Sequence, residues 1–191
     1  MKEEKIKILG ITGPSGCGKD TAARWLNDNY PGTYHYVKLH TTRPRRDSED
    51  NYRFVKPDEF LRQVLNGQML NAQEYNGWYY GLSSMSLIKN EINVMPMSAE
   101  MVRQMLEENN PKYDLKLIYI RTSDKERLLH TLERENAPNC YEICRRYIAD
   151  IDDYENNDKL HEVCNCTIIN LYDNHFYSNV EKCAIACLKD D

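Results

Sequence analysis

The sequence lacks the features that would assign it to several other classes of protein. No apolar run approaches the roughly 20 residues needed to cross a bilayer, and the charged start, residues 1–7, has no apolar segment typical of a signal peptide. Basic residues are not in excess, because 25 lysines and arginines face 30 aspartates and glutamates and the net charge is −5. Internal repeats and low-complexity tracts are missing as well. We therefore expect a cytoplasmic monomer or homodimer with small anionic ligands and no nucleic-acid or membrane partner.

The seven cysteines lack the spacing of a structural metal site. Their number is odd, and no two of them form a Cys-x-x-Cys pair. Cys164 and Cys166 flank the apolar run 167–169, while Cys183 and Cys187 lie at helical spacing in an apolar stretch. We predict that all seven are reduced, and that burial explains them better than metal or redox chemistry does.

The chain does contain a regular alternation of short apolar runs and helical patterns. With 191 residues and 41% hydrophobic content it can bury one sizeable core, which favours a single domain over residues 1–191. Short apolar runs typical of buried parallel strands occur at 6–11, 36–39, 94–97, 115–120 and 166–169. This pattern predicts a doubly wound α/β fold with ligand sites at the carboxyl ends of the strands.

The predicted helices lie between these runs. One covers 58–65 and is closed by Gly67, and another begins at the capping box 123–126. A third covers 141–154, and a last helix is expected after Asn174. The third helix places an apolar stripe, Ile143, Tyr147, Ile151 and Tyr154, along one face.

A glycine-rich segment between the first strand and the first helix predicts a phosphate-binding loop. It has the sequence Gly13-Pro14-Ser15-Gly16-Cys17-Gly18-Lys19-Asp20-Thr21. Its glycines allow successive backbone N–H groups to converge on one anion, the following helix contributes its positive dipole end, and the lysine reaches the outer phosphates. We therefore expect this loop to bind a nucleoside triphosphate.

A second basic cluster follows the next strand. It has the sequence His40-Thr41-Thr42-Arg43-Pro44-Arg45-Arg46, and after the acidic residues 47–50 comes Asn51-Tyr52-Arg53-Phe54-Val55. Arginines in this arrangement are suited to bidentate binding of a phosphate, to which the Tyr52 hydroxyl adds a donor. The alternative interpretation is a solvated run of charges without a ligand.

With these motifs in order, the sequence resembles the guanylate kinase family. Members carry Gly-Pro-Ser-Gly-x-Gly-Lys-Ser-Thr, then Thr-Thr-Arg-x-x-Arg, a tyrosine before Phe-Val, and Tyr-Tyr-Gly. Their counterparts here are 13–21, 41–46, 52–55 and 79–81, and the resemblance runs from about Lys5 to Asn170. The loop between Arg46 and Tyr52 is shorter than is usual in the family.

The resemblance implies a P-loop fold with a doubly wound parallel five-stranded sheet, a small lobe that binds a nucleoside monophosphate (NMP), and a helical lid. The implied core covers about 1–40, 93–132 and 150–191, the NMP-binding lobe about 41–92, and the lid about 133–149. The implied activity is Mg²⁺-dependent transfer of a phosphoryl group from ATP to the monophosphate, for which no protein nucleophile is needed.

The resemblance also implies roles for individual residues. ATP would be bound by Gly13, Pro14, Ser15, Gly16, Cys17, Gly18, Lys19, Asp20 and Thr21, with Asn170 near the adenine. Arg43, Arg46, Tyr52 and Tyr80 would bind the phosphate of the monophosphate. The catalytic cations would be Lys19, Arg43 and Arg46 together with the lid residues Arg134, Arg145 and Arg146.

The chain departs from the family pattern mainly where members recognise guanine. Leu39 stands where the family has a serine, and Leu82 stands where it has a serine or threonine. Asn71 replaces the glutamate that accepts from guanine. Pro96-Met97-Ser98 replaces an acidic strand end, so that Ser98 takes the place of a carboxylate. Guanine presents two adjacent N–H donors, whereas an amide offers one acceptor and one donor and matches adenine, cytosine, thymine or uracil. These departures predict a base preference shifted from guanine. Glu74 is the alternative acceptor, which would restore guanine binding.

The residue after the loop lysine is a further departure. The family has a serine or threonine there that ligates magnesium, and this chain has Asp20, with Thr21 one position later. We expect the Asp20 carboxylate to coordinate Mg²⁺ and to compensate for the missing acidic strand end. The alternative is that Asp20 only caps the first helix.

Three other functions stay open on the sequence alone. The first is a kinase similar to relatives that phosphorylate ribose bisphosphate in phosphonate breakdown. Those relatives share the sequence Gly-Lys-Asp and the non-acidic strand end, and they have a segment similar to 76–81, but they tend to lack counterparts of Arg46 and of 52–55. A guanylate kinase proper is the second alternative. The third is a non-catalytic guanylate-kinase-like module, from which the intact loop with Lys19 distinguishes this chain.

Overall fold

The computed structural model describes residues 4–45, 50–75, 77–133, 138–156 and 160–189. Its centre is a parallel sheet in the order β2-β7-β1-β8-β9, which confirms the predicted five-stranded α/β fold. These strands are β1 (Ile6–Thr12), β2 (Tyr34–Tyr36), β7 (Ile92–Met97), β8 (Tyr113–Arg121) and β9 (Cys166–Ile169).

A second sheet packs beside the first and has the order β4-β3-β6-β5. Its strands are β3 (Leu39–Thr41), β4 (Tyr52–Phe54), β5 (Met69–Tyr75) and β6 (Trp78–Ser83). The predicted strand over 36–39 is therefore wrong in its bounds, because Tyr36 ends β2 in the first sheet and Leu39 begins β3 in the second.

The helices are α1 (Lys19–Asn29), α2 (Pro57–Leu65), α3 (Ala99–Glu108), α4 (Asp124–Glu133), α5 (Cys140–Ile151), α6 (Leu160–Val163) and α7 (Phe176–Leu188). Their starts follow local chemistry. Ser98 caps α3 by accepting from the Met101 N–H, and Asn139 caps α5 by accepting from the Glu142 N–H. The predicted helix 141–154 is shorter than expected, because α5 ends at Ile151 and a π-helical turn covers Asp152–Asn156.

Alternation along the central strands divides the core into two layers. In β8, Leu117 and Tyr119 face one cluster, while Ile118 and Ile120 face the other. Helices α1 and α7 cover the second of these faces, and α3 covers the first. Because both faces of the sheet are covered, the central strands β1, β7 and β8 each contain four or more consecutive buried residues, as expected for a parallel sheet.

Two cysteines contradict the prediction that all seven are reduced. Cys166 of β9 and Cys183 of α7 form a disulfide, with their Cα atoms 5.9 Å apart. The two residues are 17 positions apart, and only the packing of α7 against β9 brings them together. Within the part of the chain that the structure describes, no helix is long and apolar enough to span a membrane.

Candidate active site

A cavity of about 510 Å³ is lined by residues of both sheets and of helices α3, α4 and α5. It brings together most of the residues that the sequence assigned to the two substrates. The predicted site residues that line it are Gly13, Ser15, Gly16, Lys19, Asp20, Arg43, Tyr52, Asn71, Glu74, Tyr80, Ser98 and Arg146. Arg46 and Arg134, two further predicted residues, lie outside the described residues.

The loop between β1 and α1 has the conformation that its glycines allow. Gly13 and Gly16 have φ angles of 143° and 82°, which side chains with a Cβ rarely adopt. A Cβ at Gly13 would lie 2.3 Å from the Ile120 carbonyl oxygen, and one at Gly16 would lie 2.8 Å from the Arg127 carbonyl oxygen. The loop is therefore pressed against β8 and α4, and α1 begins at Lys19.

Lys19 lies at the mouth of this loop. Its Nζ donates to the Pro14 carbonyl oxygen at 3.2 Å, so the ammonium turns back over the loop. Burial by itself would lower the pKa of Lys19, but the surrounding acidic groups, from Cys17 and Tyr154 to the carboxylates of Asp20 and Asp150, raise it above its ordinary value. Lys19 is accordingly a permanent cation in the cavity.

Five of the predicted ATP-binding residues, namely Pro14, Cys17, Gly18, Thr21 and Asn170, do not line the cavity. Cys17 is fully buried beneath the loop, and burial raises the pKa of its thiol. Asn170, only 1% exposed, donates from Nδ2 to the Cys17 carbonyl oxygen at 2.9 Å and accepts from the Tyr172 N–H at 2.8 Å. Asn170 thus braces the loop through the Cys17 carbonyl group. Within the loop, the Pro14 carbonyl oxygen accepts from the Cys17 N–H at 3.2 Å, and Gly18 has a φ angle of 98°.

Asp20 and Thr21 differ in where their side chains lie. Asp20 lines the cavity and accepts from Asn51 Nδ2 at 3.4 Å, whereas Thr21 is exposed. Among the described residues there is no group of three or more His, Cys, Asp or Glu side chains that would enclose a metal ion. The Asp20 carboxylate beside the phosphate loop fits Mg²⁺, which keeps several waters and takes its other ligands from substrate phosphates.

Across the cavity, Arg43 and two tyrosines form the second predicted anion-binding group. Arg43 is 7% exposed, and its Cζ lies 5.7 Å from the centroid of the Tyr52 ring. The rings of Tyr52 and Tyr80 pack edge to face with centroids 5.9 Å apart. Burial raises the pKa of Tyr52 to about 12, so its hydroxyl remains a hydrogen-bond donor at neutral pH.

The predicted base-binding region contains two amides and apolar side chains. Asn71, 5% exposed, donates from Nδ2 to Gln104 Oε1, while its buried Oδ1 has no hydrogen-bond partner among the described residues. Gln73 Nε2 donates to Ser98 Oγ at 3.0 Å. This pair and the wall residue Leu39 line the cavity. Leu82, by contrast, is fully buried in the core and does not line it.

Helix α5, most of which lies in the predicted lid, forms another wall of the cavity. Glu142 accepts from Arg145 Nε at 2.9 Å and from Arg146 Nε at 2.8 Å, and these hydrogen bonds lower the pKa of Glu142 to about 2. Arg145 Nη2 donates to the Tyr75 hydroxyl at 3.1 Å, which joins α5 to the end of β5. Arg146 lines the cavity, whereas Arg145 does not.

Sequence reasoning missed several residues that line the cavity. Those that were not assigned to a ligand are Gln73, Arg127, Asp150 and Tyr154. Asp150 accepts from the Ser15 N–H of the loop, and Arg127 donates to Asp150. One signal for Asp150 was present. Asp150 follows Tyr147 by three residues and Ile143 by seven, so it lies on the buried face of the helix, where a carboxylate needs a partner.

Comparisons with known proteins identify similar sequences and a similar fold. A family model described as guanylate kinase matches residues 5–164. A guanylate kinase from Gloeobacter violaceus is 31% identical over 147 residues, which is 75% of this chain and 71% of that protein. One from Mycoplasma genitalium is 32% identical over 136 residues, which is 68% of this chain and 56% of that protein.

A solved structure extends the likeness to nearly the whole chain. The crystal structure of guanylate kinase from Anaplasma phagocytophilum superposes with a TM-score of 0.64 and covers 98% of this chain and 89% of that one. Sequence identity in this pair is 20%, so the match concerns the fold.

Proposed function

Since this chain belongs to the guanylate kinase family, we propose that it transfers the terminal phosphoryl group of ATP to a nucleoside monophosphate whose base is not primarily guanine. The chain is a nucleoside monophosphate kinase, and the choice of base is the part that we infer from its own residues. The observation that carries the proposal is the pair of anion-binding groups, Lys19 with its loop and Arg43 with Tyr52, in one cavity.

Phosphoryl transfer in such a site depends on positioning and on neutralisation of charge. The loop amides and Lys19 hold the donor, while Arg43 and the hydroxyls of Tyr52 and Tyr80 hold the acceptor phosphate. Arg146 on the lid wall supplies a further cation to the same cavity. Closure of α5 over the cleft excludes water, so that ATP is not simply hydrolysed.

Asp20 is the residue that we propose for Mg²⁺. When bound, the ion supplies charge neutralisation at the phosphate oxygens. Asp20 lines the cavity beside the loop, and the exposure of Thr21 argues against a role for its hydroxyl. Asp20 also accepts from Asn51, which orients the carboxylate.

The base preference follows from the polar atoms at Asn71. Guanine offers N1–H and the N2 amino group side by side, and a carboxylate accepts from both. Asn71 offers one accepting oxygen, and Gln104 engages its amide nitrogen. A base that presents one donor next to an acceptor, namely adenine, cytosine, thymine or uracil, fits this arrangement better. Glu74, which is exposed and also lines the cavity, is the residue that would oppose this conclusion.

The setting of the reaction is part of the same proposal. With a net charge of −5, the protein has no general affinity for nucleic acid, and we place it in the cytoplasm as a monomer or homodimer that uses ATP and the monophosphate. Its binding partners are then the two substrates alone.

The test is an acceptor panel. ADP formation from ATP is measured with every common ribo- and deoxynucleoside monophosphate and with ribose bisphosphate, each over a range of concentrations. We expect the highest kcat/KM for a monophosphate other than GMP. A strong preference for GMP would overturn the base assignment, turnover of the sugar bisphosphate alone would replace the substrate class, and no turnover with any acceptor would favour a binding module.

A further inference from the structure

Helix α4 carries a buried arginine to which none of the roles above applies. Arg127 is 2% exposed, and its Nε donates to Asp124 Oδ1 at 3.1 Å. Its Nη1 donates to Asp150 Oδ2 at 3.0 Å, and its Cζ lies 3.9 Å from the centroid of the Tyr147 ring. The remaining nitrogen, Nη2, is buried without a hydrogen-bond partner among the described residues, so this guanidinium retains a donor for a ligand.

The carboxylate that Arg127 holds is shared with the phosphate loop. Asp150, 9% exposed, accepts from the Ser15 N–H at 2.8 Å and from the Ser15 hydroxyl at 3.3 Å. One anionic group is thus bound by a loop amide, a hydroxyl and a guanidinium. These are the donors that hold a phosphoryl oxygen at helix and loop termini.

The position of Arg127 and Asp150 relative to Lys19 indicates which phosphates of ATP Arg127 would contact. The negative charge of Asp150 contributes to the raised pKa of Lys19, so the carboxylate lies within electrostatic reach of the ammonium. In a loop of this type the lysine contacts the outer phosphates of the nucleotide. Arg127 and Asp150 therefore lie at the outer-phosphate end, and both line the same cavity as Lys19.

We propose that Arg127 is a further catalytic residue that binds the terminal phosphates of ATP, and that Asp150 is an internal anion which ATP displaces from Arg127 and Ser15. The inference rests on the proposed function, because it takes ATP as the ligand of the loop. Two anions cannot share the Ser15 N–H and the guanidinium without repulsion in a buried site. Asp150 lies in the last turn of α5, so its release also frees the lid helix from the loop.

The test compares nucleotides with and without the outer phosphates. Dissociation constants for ATP and for AMP are measured by titration calorimetry with the wild-type protein, Arg127→Lys, Asp150→Asn and the control Arg62→Lys, which alters an exposed pair on α2. We expect Arg127→Lys to weaken ATP binding at least about tenfold and to change AMP binding less than about twofold, because Lys cannot reproduce the planar fork. We expect Asp150→Asn to tighten ATP binding about threefold or more, since a neutral amide competes less well for the loop. Arg62→Lys should match the wild type.

Each outcome has a separate meaning. If the wild-type protein does not bind ATP, the proposed function fails. If the wild type binds ATP but Arg127→Lys binds it equally well, or loses ATP and AMP to the same degree, the role of Arg127 is overturned. If Asp150→Asn weakens or does not change ATP binding, the displacement by ATP is overturned. Thermal unfolding identifies a variant that fails to fold, and if this applies to Arg127→Lys, the result for Asp150→Asn decides.

Discussion

At the residue scale, one atom controls the proposed choice of base. Asn71 lines the cavity and has a buried Oδ1 without a hydrogen-bond partner among the described residues, and replacement by glutamate supplies a second accepting oxygen. We expect Asn71→Glu to raise kcat/KM for GMP at least about tenfold relative to the other monophosphates, because a carboxylate accepts from both N1–H and N2–H of guanine. Steady-state kinetics over the acceptor panel measure the change.

Asn71→Gln is the matched control for this prediction. Gln has the length of Glu but keeps the single accepting oxygen of an amide, so it should leave GMP a poor substrate. An equal effect of both substitutions would mean that size rather than charge determines the preference. A loss of GMP turnover in Glu74→Gln would instead identify Glu74 as the guanine acceptor.

Asp20 gives a second prediction at this scale. We expect Asp20→Asn to raise the Mg²⁺ concentration for half-maximal activity about tenfold, because an amide oxygen is a weaker ligand than a carboxylate for a hard cation. The measurement is a titration of activity with MgCl₂ at fixed ATP. An unchanged requirement in Asp20→Asn, or an increase in Thr21→Ala instead, would contradict the assignment.

The sequence made the residues of the phosphate loop candidates because their pattern is local. The loop 13–21 contains its own strand end, glycines, lysine and helix start, so its conformation follows from neighbouring residues. Asp150 and Arg127 are 23 positions apart, and their pairing depends on how α4 and α5 pack. Leu82 is the reverse case, because the motif made it a candidate for base binding but its side chain is buried in the core and does not line the cavity.

At the scale of elements, α5 carries a charge cluster that responds to acid. Glu142 has its pKa lowered to about 2, with hydrogen bonds from Arg145 as the largest cause. A carboxyl group with a lowered folded-state pKa stabilises the protein above its unfolded-state pKa and loses that effect as the pH falls towards the folded-state value. We expect Glu142→Gln to reduce the free energy of unfolding by about 1 kcal/mol at pH 7, a modest value because the cluster is partly exposed.

The pH dependence distinguishes this effect from a packing defect. The difference in the free energy of unfolding between wild type and Glu142→Gln should be constant above about pH 5 and shrink between about pH 4.5 and pH 2. Urea unfolding at intervals over this range measures it. Asp58→Asn, whose pair with Arg62 is about 70% exposed on both sides, should change stability less at every pH. A difference independent of pH for Glu142→Gln would mean that charge is not the cause.

The elements also show where pattern reasoning fails. Residues 36–39 were predicted as one strand from a run that includes Lys38, but β2 pairs with β7 and β3 pairs with β6, so the chain changes sheets at Val37 and Lys38. Such a change depends on which strands are available as neighbours, and the run itself carries no information about that. Long strands such as β8 were predictable because both faces are buried over consecutive residues.

At the scale of the whole molecule, the fold places the two proposed anion-binding groups in one cavity. Lys19 follows β1 of the parallel sheet, whereas Arg43 follows β3 of the second sheet. Each group lies at the carboxyl end of its strand, and the packing of the sheets turns both toward the same space. A kinase that binds two nucleotides with their phosphates facing each other needs both groups, while a binding module needs only one of them.

Simultaneous occupancy is therefore the prediction that belongs to the whole molecule. A nonhydrolysable ATP analogue and the preferred monophosphate, each at about 100 times its dissociation constant, should each stabilise the protein by about 2.7 kcal/mol. Together they should raise the unfolding temperature by about the sum of their separate shifts, because they occupy different ends of the cavity. Thermal unfolding with each ligand and with both measures this. If the second ligand adds nothing to the first, the two compete for one site, and phosphoryl transfer between them in this cavity is excluded.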